Sequence, residues 1–410
     1  MLKRIRLKDF KSFVDEEVEV APLTLLVGAN ASGKSNFLEA LRFLQGTEFD
    51  MNLAEVLNGE DRPGPDPWPG LRGRAEEAAR IGTLGFTIKS EWTALEGDSA
   101  ESTKTYDIAH SISCRTKPYP ELGAESLSRG DGKPLFSGIS RGSGFEVCWE
   151  PENHPYKKVQ IAWPDYSLLW LILGGTNSPR AYTVPREVVD YAFSLSEVLK
   201  KIRFLEIRPN VMRGYGRRGA PLGDDGANLS GVLADLCSDP LQRTSLVGWI
   251  AELSAPEVED LDFLDIKELG DVMTMFIEKG GKRISARSVS DGTLHFLGTL
   301  LALRTAEPGS VILIEDIDAG LHPTRIRLLV EYLETVTRER RIQVIATTHS
   351  PVVLQWLSDE SLRNAIVFGR VPDHEGTLMR RLGDLPHFNE VVERSGIDEM
   401  FTTGWLEMAL

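Results

Sequence analysis

Along the first twenty residues apolar and charged positions alternate. Leu2, Ile5 and Leu7 stand against Lys3, Arg4, Arg6 and Lys8, a Phe10-Lys11-Ser12-Phe13 turn follows, and acidic residues interleave with apolar ones from Val14 to Val20. A period of two on either side of a turn predicts a two-stranded hairpin. Leu23-Thr24-Leu25-Leu26-Val27 is instead continuously apolar and ends in glycine, and residues 36–44 then take helical spacing, so strand, glycine loop and helix are expected in that order. From 46 to 205 the pattern is broken by Pro and Gly clusters, Arg62-Pro63-Gly64-Pro65 among them, with strand-like pieces such as 83–93 between. That reads as strands followed by a less regular lobe, with 111–146 open as a mobile loop or a partner surface.

Residues 188–202 are expected to be helical, and 228–236 to begin a second helical stretch that runs on through 241–253. Residues 272–278 and 283–289 flank Gly280-Gly281, a hairpin signal. Beyond it the pattern is regular: a helix over 294–304, a buried strand over 310–314, a helix over 323–337 and another buried strand over 342–347. A helical C-terminal stretch over 385–410 carries Phe401, Trp405, Leu406 and Leu410, an apolar set expected to dock on the core. No internal repeat, heptad run or low-complexity tail breaks this plan, which is that of an α/β protein with a mixed sheet flanked by helices.

Length and charge modify the picture in two ways. A chain of 410 residues is more than one compact core usually holds, so an inserted α+β and helical lobe is expected. A net charge of −15 means that any nucleic-acid surface must be local. No apolar run reaches the roughly 18 residues that span a bilayer, and the opening reads as a strand rather than a signal peptide, so a cytoplasmic protein with no membrane partner is expected. Cys114, Cys148 and Cys237 lack metal-ligand spacing and are too few for a disulfide framework.

The chemistry concentrates at four places. Gly28-Ala29-Asn30-Ala31-Ser32-Gly33-Lys34-Ser35 fits G-x-x-x-x-G-K-[ST], whose backbone N–H groups cradle phosphates, with Lys34 reaching the outer phosphates and Ser35 placing its hydroxyl on Mg²⁺. The apolar strand Val311-Ile312-Leu313-Ile314 ends in Glu315 and Asp316, one acid suited to the Mg²⁺ shell and the next to polarising an attacking water. His349 follows another buried strand, where a histidine can hydrogen-bond a γ-phosphate, orient the water, or serve only structure. Ser290-Asp291-Gly292-Thr293 opens an apolar helix, either as an ordinary N-cap on Ser290 or as an anion contact through its hydroxyl, amides and dipole. Separately, Arg203, Arg208, Arg213, Arg217 and Arg218, with Tyr215 and three glycines among them, either track a phosphate backbone or form a solvated loop.

In the order P-loop, signature, acidic strand and switch histidine, these motifs resemble the ABC-type ATPases of chromosome and repair biology, in particular the RecF-like and OLD-like group related to SMC proteins. The resemblance extends to residues 5–13, to 27–36 including Asn36, to Gly226-Ala227-Asn228-Leu229, to 314–323 and to Thr348-His349-Ser350-Pro351. It implies an ABC-type head over 1–50 and 225–370, an inserted lobe over 51–224 and a C-terminal extension over 371–410. It further implies ATP and Mg²⁺ as cofactors, and a homodimer in which Ser290 and Gly292 of one chain contact the nucleotide on the P-loop of the other. Where that group usually has glutamate this chain has Asp316, and where it has proline stands Ile317, so slow turnover is expected. No glutamine is assignable to the position that links metal site and middle lobe. OLD-like nucleases add a TOPRIM domain, for which the stretch after His349 is too short and carries no acidic metal cluster. The resemblance therefore implies a nucleic-acid-linked switch of the antiphage defence type that controls a separately encoded effector such as a nuclease. A RecF-like repair clamp and a nucleotide-bound scaffold are alternatives, and a transporter subunit is disfavoured by the long stretch between Lys34 and Ser290.

Overall fold

The computed structural model describes residues 1–60, 67–96, 104–141, 144–149, 157–161, 165–174, 184–253, 258–371, 374–393, 396 and 405–410. Leu23–Val27, Val311–Ile314, Gln343–Thr347 and Ile366–Gly369 are buried at every position. Strands without a wet face need cover on both sides, which is the situation of a parallel sheet. They form one, in the order Ile202–Leu205, Val311–Ile314, Gln343–Thr347, Leu23–Val27 and Ile366–Gly369, with Leu378–Arg381 antiparallel at one edge. Alternate residues serve the two faces: Val311, Leu313 and Ile345 enter one hydrophobic core, Ile312, Ile314 and Val344 the other. Parallel pairing of Ile314 with Ala346, and of Ala346 with Leu25, makes the chain leave three strands at the same sheet edge. Phosphate loop, acids and histidine are thereby brought together.

The first core lies between this sheet and a second one. Asp15–Glu19, Leu2–Lys8, Gly85–Glu96, Lys104–Arg115, Glu121–Arg129, Pro134–Arg141, Gly144–Trp149 and Lys157–Ile161 form an eight-stranded antiparallel sheet in that order. The expected N-terminal hairpin is present, with Ile5 opposite Val18. The strands expected ahead of a less regular lobe are present and extend further than expected, as a meander paired with the hairpin, and the described residues of 111–146 fall in its strands and turns. Its period of two is diluted by polar residues: the inward row Ile108, His110, Ile112 and Cys114 is fully buried but includes a histidine. His110 is compensated by Glu125, 2.8 Å away and equally buried.

Helix Arg186–Lys200 ends before the strand Ile202–Leu205, which therefore joins the central sheet although it falls in the stretch expected as insertion. Leu378–Arg381 does the same from the expected extension. The long helical stretch expected from 228 is two helices, Leu229–Leu236 and Pro240–Leu253, because Pro240 cannot continue a preceding helix. A small sheet of Gly216–Arg217, Asp271–Glu278 and Val258–Ile266 also pairs Lys282–Ser285, so the Gly280-Gly281 hairpin forms but ends at Ser285. Residues Ala286–Ser288 then turn into the helix Asp291–Thr305. Trp405–Met408 is helical and buries Leu406 in the second core, whereas Phe401 lies outside the described residues. Among the described residues no helix is long and apolar enough to cross a membrane. Burial pushes the thiols of Cys114 and Cys237 up to about 12 and about 11.

Candidate nucleotide site

The phosphate loop is built by backbone constraints. Gly28 has φ 139° and a Cβ there would stand 2.2 Å from the Phe368 carbonyl oxygen; Gly33 has φ 115° and a Cβ there would meet the Thr377 side chain at 2.8 Å. Only glycine fits either place. Gly33 leads into helix Lys34–Gly46, whose first turn has no side-chain cap and no acidic residue. That positive helix end is open to an anion. Lys34 is buried, and its ammonium donates to the carbonyls of Gly28 at 2.7 Å and Ala29 at 2.9 Å, so the loop Gly28, Ala29, Asn30, Ala31, Ser32 curls around it. Asn36 donates to Ser12 Oγ at 2.8 Å, and the Thr377 hydroxyl donates to the Ser32 carbonyl at 2.9 Å and lies 2.9 Å from Ser12 Oγ, which it meets as acceptor. Ser12 and Thr377 thus brace the loop from behind, a role that no local sequence signal marks.

Glu315, Asp316 and His349 emerge at the same edge, each substantially exposed. Asp316 adopts φ 51° and is held by its amide, which donates to Thr347 Oγ1 at 2.9 Å; Ile317 N donates to the Thr347 carbonyl at 3.0 Å. The left-handed turn and its two anchors direct the Asp316 carboxylate toward His349, whose Nε2 lies 3.4 Å from Oδ1. A cleft of about 410 Å³ is lined by residues 30–36, Glu315, Asp316, Thr347 and His349, together with two arginines, Arg72 and Arg370. Arg72 was not anticipated: its Nη2 lies 3.1 and 3.0 Å from the two oxygens of Glu315. Among the described residues no group of three His, Cys, Asp or Glu forms a metal cage. The hydroxyl of Ser35 and the carboxylate of Glu315 are the hard oxygen donors that Mg²⁺ takes when phosphates complete its shell, so the donor set fits that ion.

Ser290 is the N-cap of helix Asp291–Thr305, accepting from Thr293 N at 3.2 Å. Gly292 packs against the acidic loop so closely that a Cβ would stand 2.3 Å from the Gly320 carbonyl oxygen. Neither Ser290 nor Gly292 lines the cleft of its own chain. One turn further on, burial lowers the imidazole of His295, an effect opposed by the charge of nearby Asp316. Asn228, at φ 67°, accepts from Arg217 N at 2.6 Å and donates to the Ala220 carbonyl at 2.7 Å.

The arginine-rich segment is largely committed to protein partners. Arg203 meets Asp224 at 2.7 Å, Arg208 meets Glu206 at 3.0 Å and Arg218 meets Asp265 at 3.3 Å. Arg213 pairs with Asp291 and donates to the carbonyls of Arg287 and Val289 at 2.7 Å, holding the turn that precedes Ser290.

Residues 1–107 match a family model described as "AAA ATPase domain", and residues 190–355 match one described as "AAA domain, putative AbiEii toxin, Type IV TA system". Both models describe AAA domains; the first match spans the phosphate-loop motif, and the second spans Ser290, Glu315, Asp316 and His349. Over 100 residues it is 30% identical to the DNA replication and repair protein RecF of Gloeobacter violaceus, 23% of this chain and 24% of that protein. Over 44 residues it is 52% identical to RecF of Synechocystis, 10% of this chain and 12% of that protein. The matches thus span about a quarter and about an eighth of these relatives. Among solved structures, the SMC head domain from Thermotoga maritima superposes with a TM-score of 0.40 at 13% identity, over 93% of this chain and 98% of that one. The SMC head of Pyrococcus furiosus, bound to the C-terminal domain of ScpA, does so with a TM-score of 0.45 at 11% identity, over 96% and 98%.

Proposed function

We propose that this ATPase core binds ATP with Mg²⁺ between the phosphate loop and the acidic strand, hydrolyses it slowly, and does so in a homodimer with two shared sites. The observation that carries the reading is the convergence of Lys34, Ser35, Glu315, Asp316 and His349 on one cleft at the exits of three parallel strands. The amides of 28–35 and the helix end would hold the phosphates. Lys34, now on the Gly28 and Ala29 carbonyls, would transfer its donors to the outer ones. Ser35 and Glu315 would hold Mg²⁺, which supplies charge neutralisation on the phosphate oxygens. Asp316 would orient the attacking water and take its proton, with His349 fixing that carboxylate and donating to the transferring phosphoryl group. An aspartate reaches one methylene less far than a glutamate, which favours slow turnover.

Ser290 and Gly292 lie outside their own chain's cleft, which favours their acting on the nucleotide of a second copy. Beyond the ATPase cycle, the reading is a nucleic-acid-linked switch that governs a separately encoded effector in antiphage defence, as in OLD-like systems. It is supported by the toxin–antitoxin description of the model matching 190–355. A RecF-like DNA clamp is the second reading, favoured by the RecF matches. Arg213 is held by Asp291 and two backbone carbonyls, whereas the exposed pairs of Arg208 and Arg218 are weak enough to yield to phosphates. The test is ATP binding and turnover of wild type and Lys34→Ala, with and without duplex DNA. Loss of both activities in the variant supports the site; equal activity in the two proteins removes it. Salt-dependent DNA stimulation selects the clamp.

A further inference from the structure

Arg72 sits in a loop fixed on both sides. Trp68 Nε1 donates to the Val56 carbonyl at 2.9 Å, and Leu71 N donates to the Leu57 carbonyl at 2.9 Å. The Arg72 amide donates at 3.0 Å to Glu39, a buried carboxylate on the phosphate-loop helix that also pairs with Lys11. From this base the guanidinium reaches both oxygens of Glu315, the carboxylate that suits Mg²⁺. Arg72 also stands on the boundary between two cavities. The 410 Å³ cleft and a neighbouring one of about 220 Å³ both include Ser35, Arg72 and Glu315, and the second is lined further by Glu39 and Glu206.

We propose that Arg72 is a metal-responsive latch: its guanidinium pairs with the Glu315 carboxylate when no cation does, and swings toward the neighbouring cavity when that carboxylate turns to Mg²⁺. The proposal rests on the nucleotide reading of the site. Three features support it. The Arg72 side chain is 65% exposed and that of Glu315 41%, so the pair is weak and displaceable. A guanidinium and a divalent cation compete for the same two oxygens. Arg72 Nε already lies 3.6 Å from Glu39 Oε1 on the second cavity's wall, so the guanidinium keeps one carboxylate when it leaves Glu315. The Glu315 pair is a restraint on the 68–72 segment additional to its bonds to Val56, Leu57 and Glu39, so its release removes one of the segment's restraints and raises local opening.

The experiment titrates Mg²⁺ against binding of a fluorescent ATP analogue to the full chain as wild type, Arg72→Gln, Arg72→Lys and Glu315→Gln, and follows amide exchange of the 68–72 segment. The Mg²⁺ concentration for half-maximal binding is expected to fall about two- to fivefold in Arg72→Gln, the range an exposed ion pair spans. Arg72→Lys is expected to lie between, and adding Arg72→Gln to Glu315→Gln to change nothing more. In wild type the Leu71 and Arg72 amides are expected to exchange slowly with ATP and chelator and faster with ATP and Mg²⁺. An unchanged or increased Mg²⁺ requirement in Arg72→Gln, or exchange insensitive to Mg²⁺ while the analogue binds, overturns the latch alone. Failure of wild type to bind the analogue under any condition overturns the nucleotide reading, and the latch with it.

Discussion

Asp316 Oδ1 lies 3.4 Å from His349 Nε2, although helix Pro323–Arg340 and strand Gln343–Thr347 separate the two in sequence. A pair that acts on one water is not additive in its effects. Asp316→Asn and His349→Ala are each expected to lower ATP turnover about 10²- to 10⁴-fold, and the double variant to lose little more than the worse single one. Asp316→Glu is expected to raise turnover, because the longer side chain brings the carboxylate closer to the phosphoryl group. Phosphate release under saturating ATP measures all four. Multiplicative losses would show that the two residues work independently.

Gly292 is required by a close approach to the Gly320 carbonyl rather than by its dihedral angles. Gly292→Ala is expected to push the Asp291–Thr305 helix away from the acidic loop, costing about 1–3 kcal/mol of stability by overpacking. Nucleotide binding to the isolated chain should persist, since the residue lies outside the cleft, while turnover falls. Thermal melts and nucleotide titrations check the two halves of this expectation.

Arg213 spans from the glycine-rich segment to the turn before Ser290. Arg213→Ala is expected to leave ATP affinity unchanged and to reduce turnover about tenfold, the loss of one or two charge-assisted hydrogen bonds that hold the signature turn. If Arg213 served a phosphate backbone instead, the variant would keep its turnover without DNA and show a shallower salt dependence of DNA binding.

The edge where the glycine loop, the acids and the histidine meet was legible because each of its pieces is local: an apolar strand, then glycines, acids or a histidine. The sheet order that joins them is not local, but short apolar strands leave few alternatives to a parallel sheet. What stayed hidden depends on partners distant in sequence. Arg72 lies in a Pro- and Gly-broken stretch, and its meaning comes from Glu39 and Glu315. Thr377 matters only because Ser12 and Ser32 reach it. Ile202–Leu205 is too short to be separated from the helix before it, and becomes a strand by pairing with Val311–Ile314. The meander was obscured by buried polar residues such as His110, whose cost is met by Glu125 across the strand pair.

Glu48 is buried beside the Ser196 hydroxyl, which only partly offsets the loss of water around its carboxylate. Burial pushes its carboxyl up to about 8 from an ordinary 4.5. The folded state therefore keeps a proton that the unfolded chain releases. Stability from this group is full below pH 4.5 and is lost as pH rises through about 8. Glu48→Gln is expected to flatten the decline of stability between those limits, by roughly 3–5 kcal/mol at the alkaline end. Denaturant melts at pH 5 and pH 8.5 compare the two; parallel curves would contradict the assignment.

The central claim is that phosphate loop and signature act across two copies, and complementation tests it most directly. Lys34→Ala and Ser290→Arg are each expected to be inactive alone. Mixed in equal amounts, they form heterodimers with one intact shared site, so ATP turnover should return to about a quarter of wild type. No recovery on mixing, with both variants folded and wild type active, would contradict a site shared between two chains.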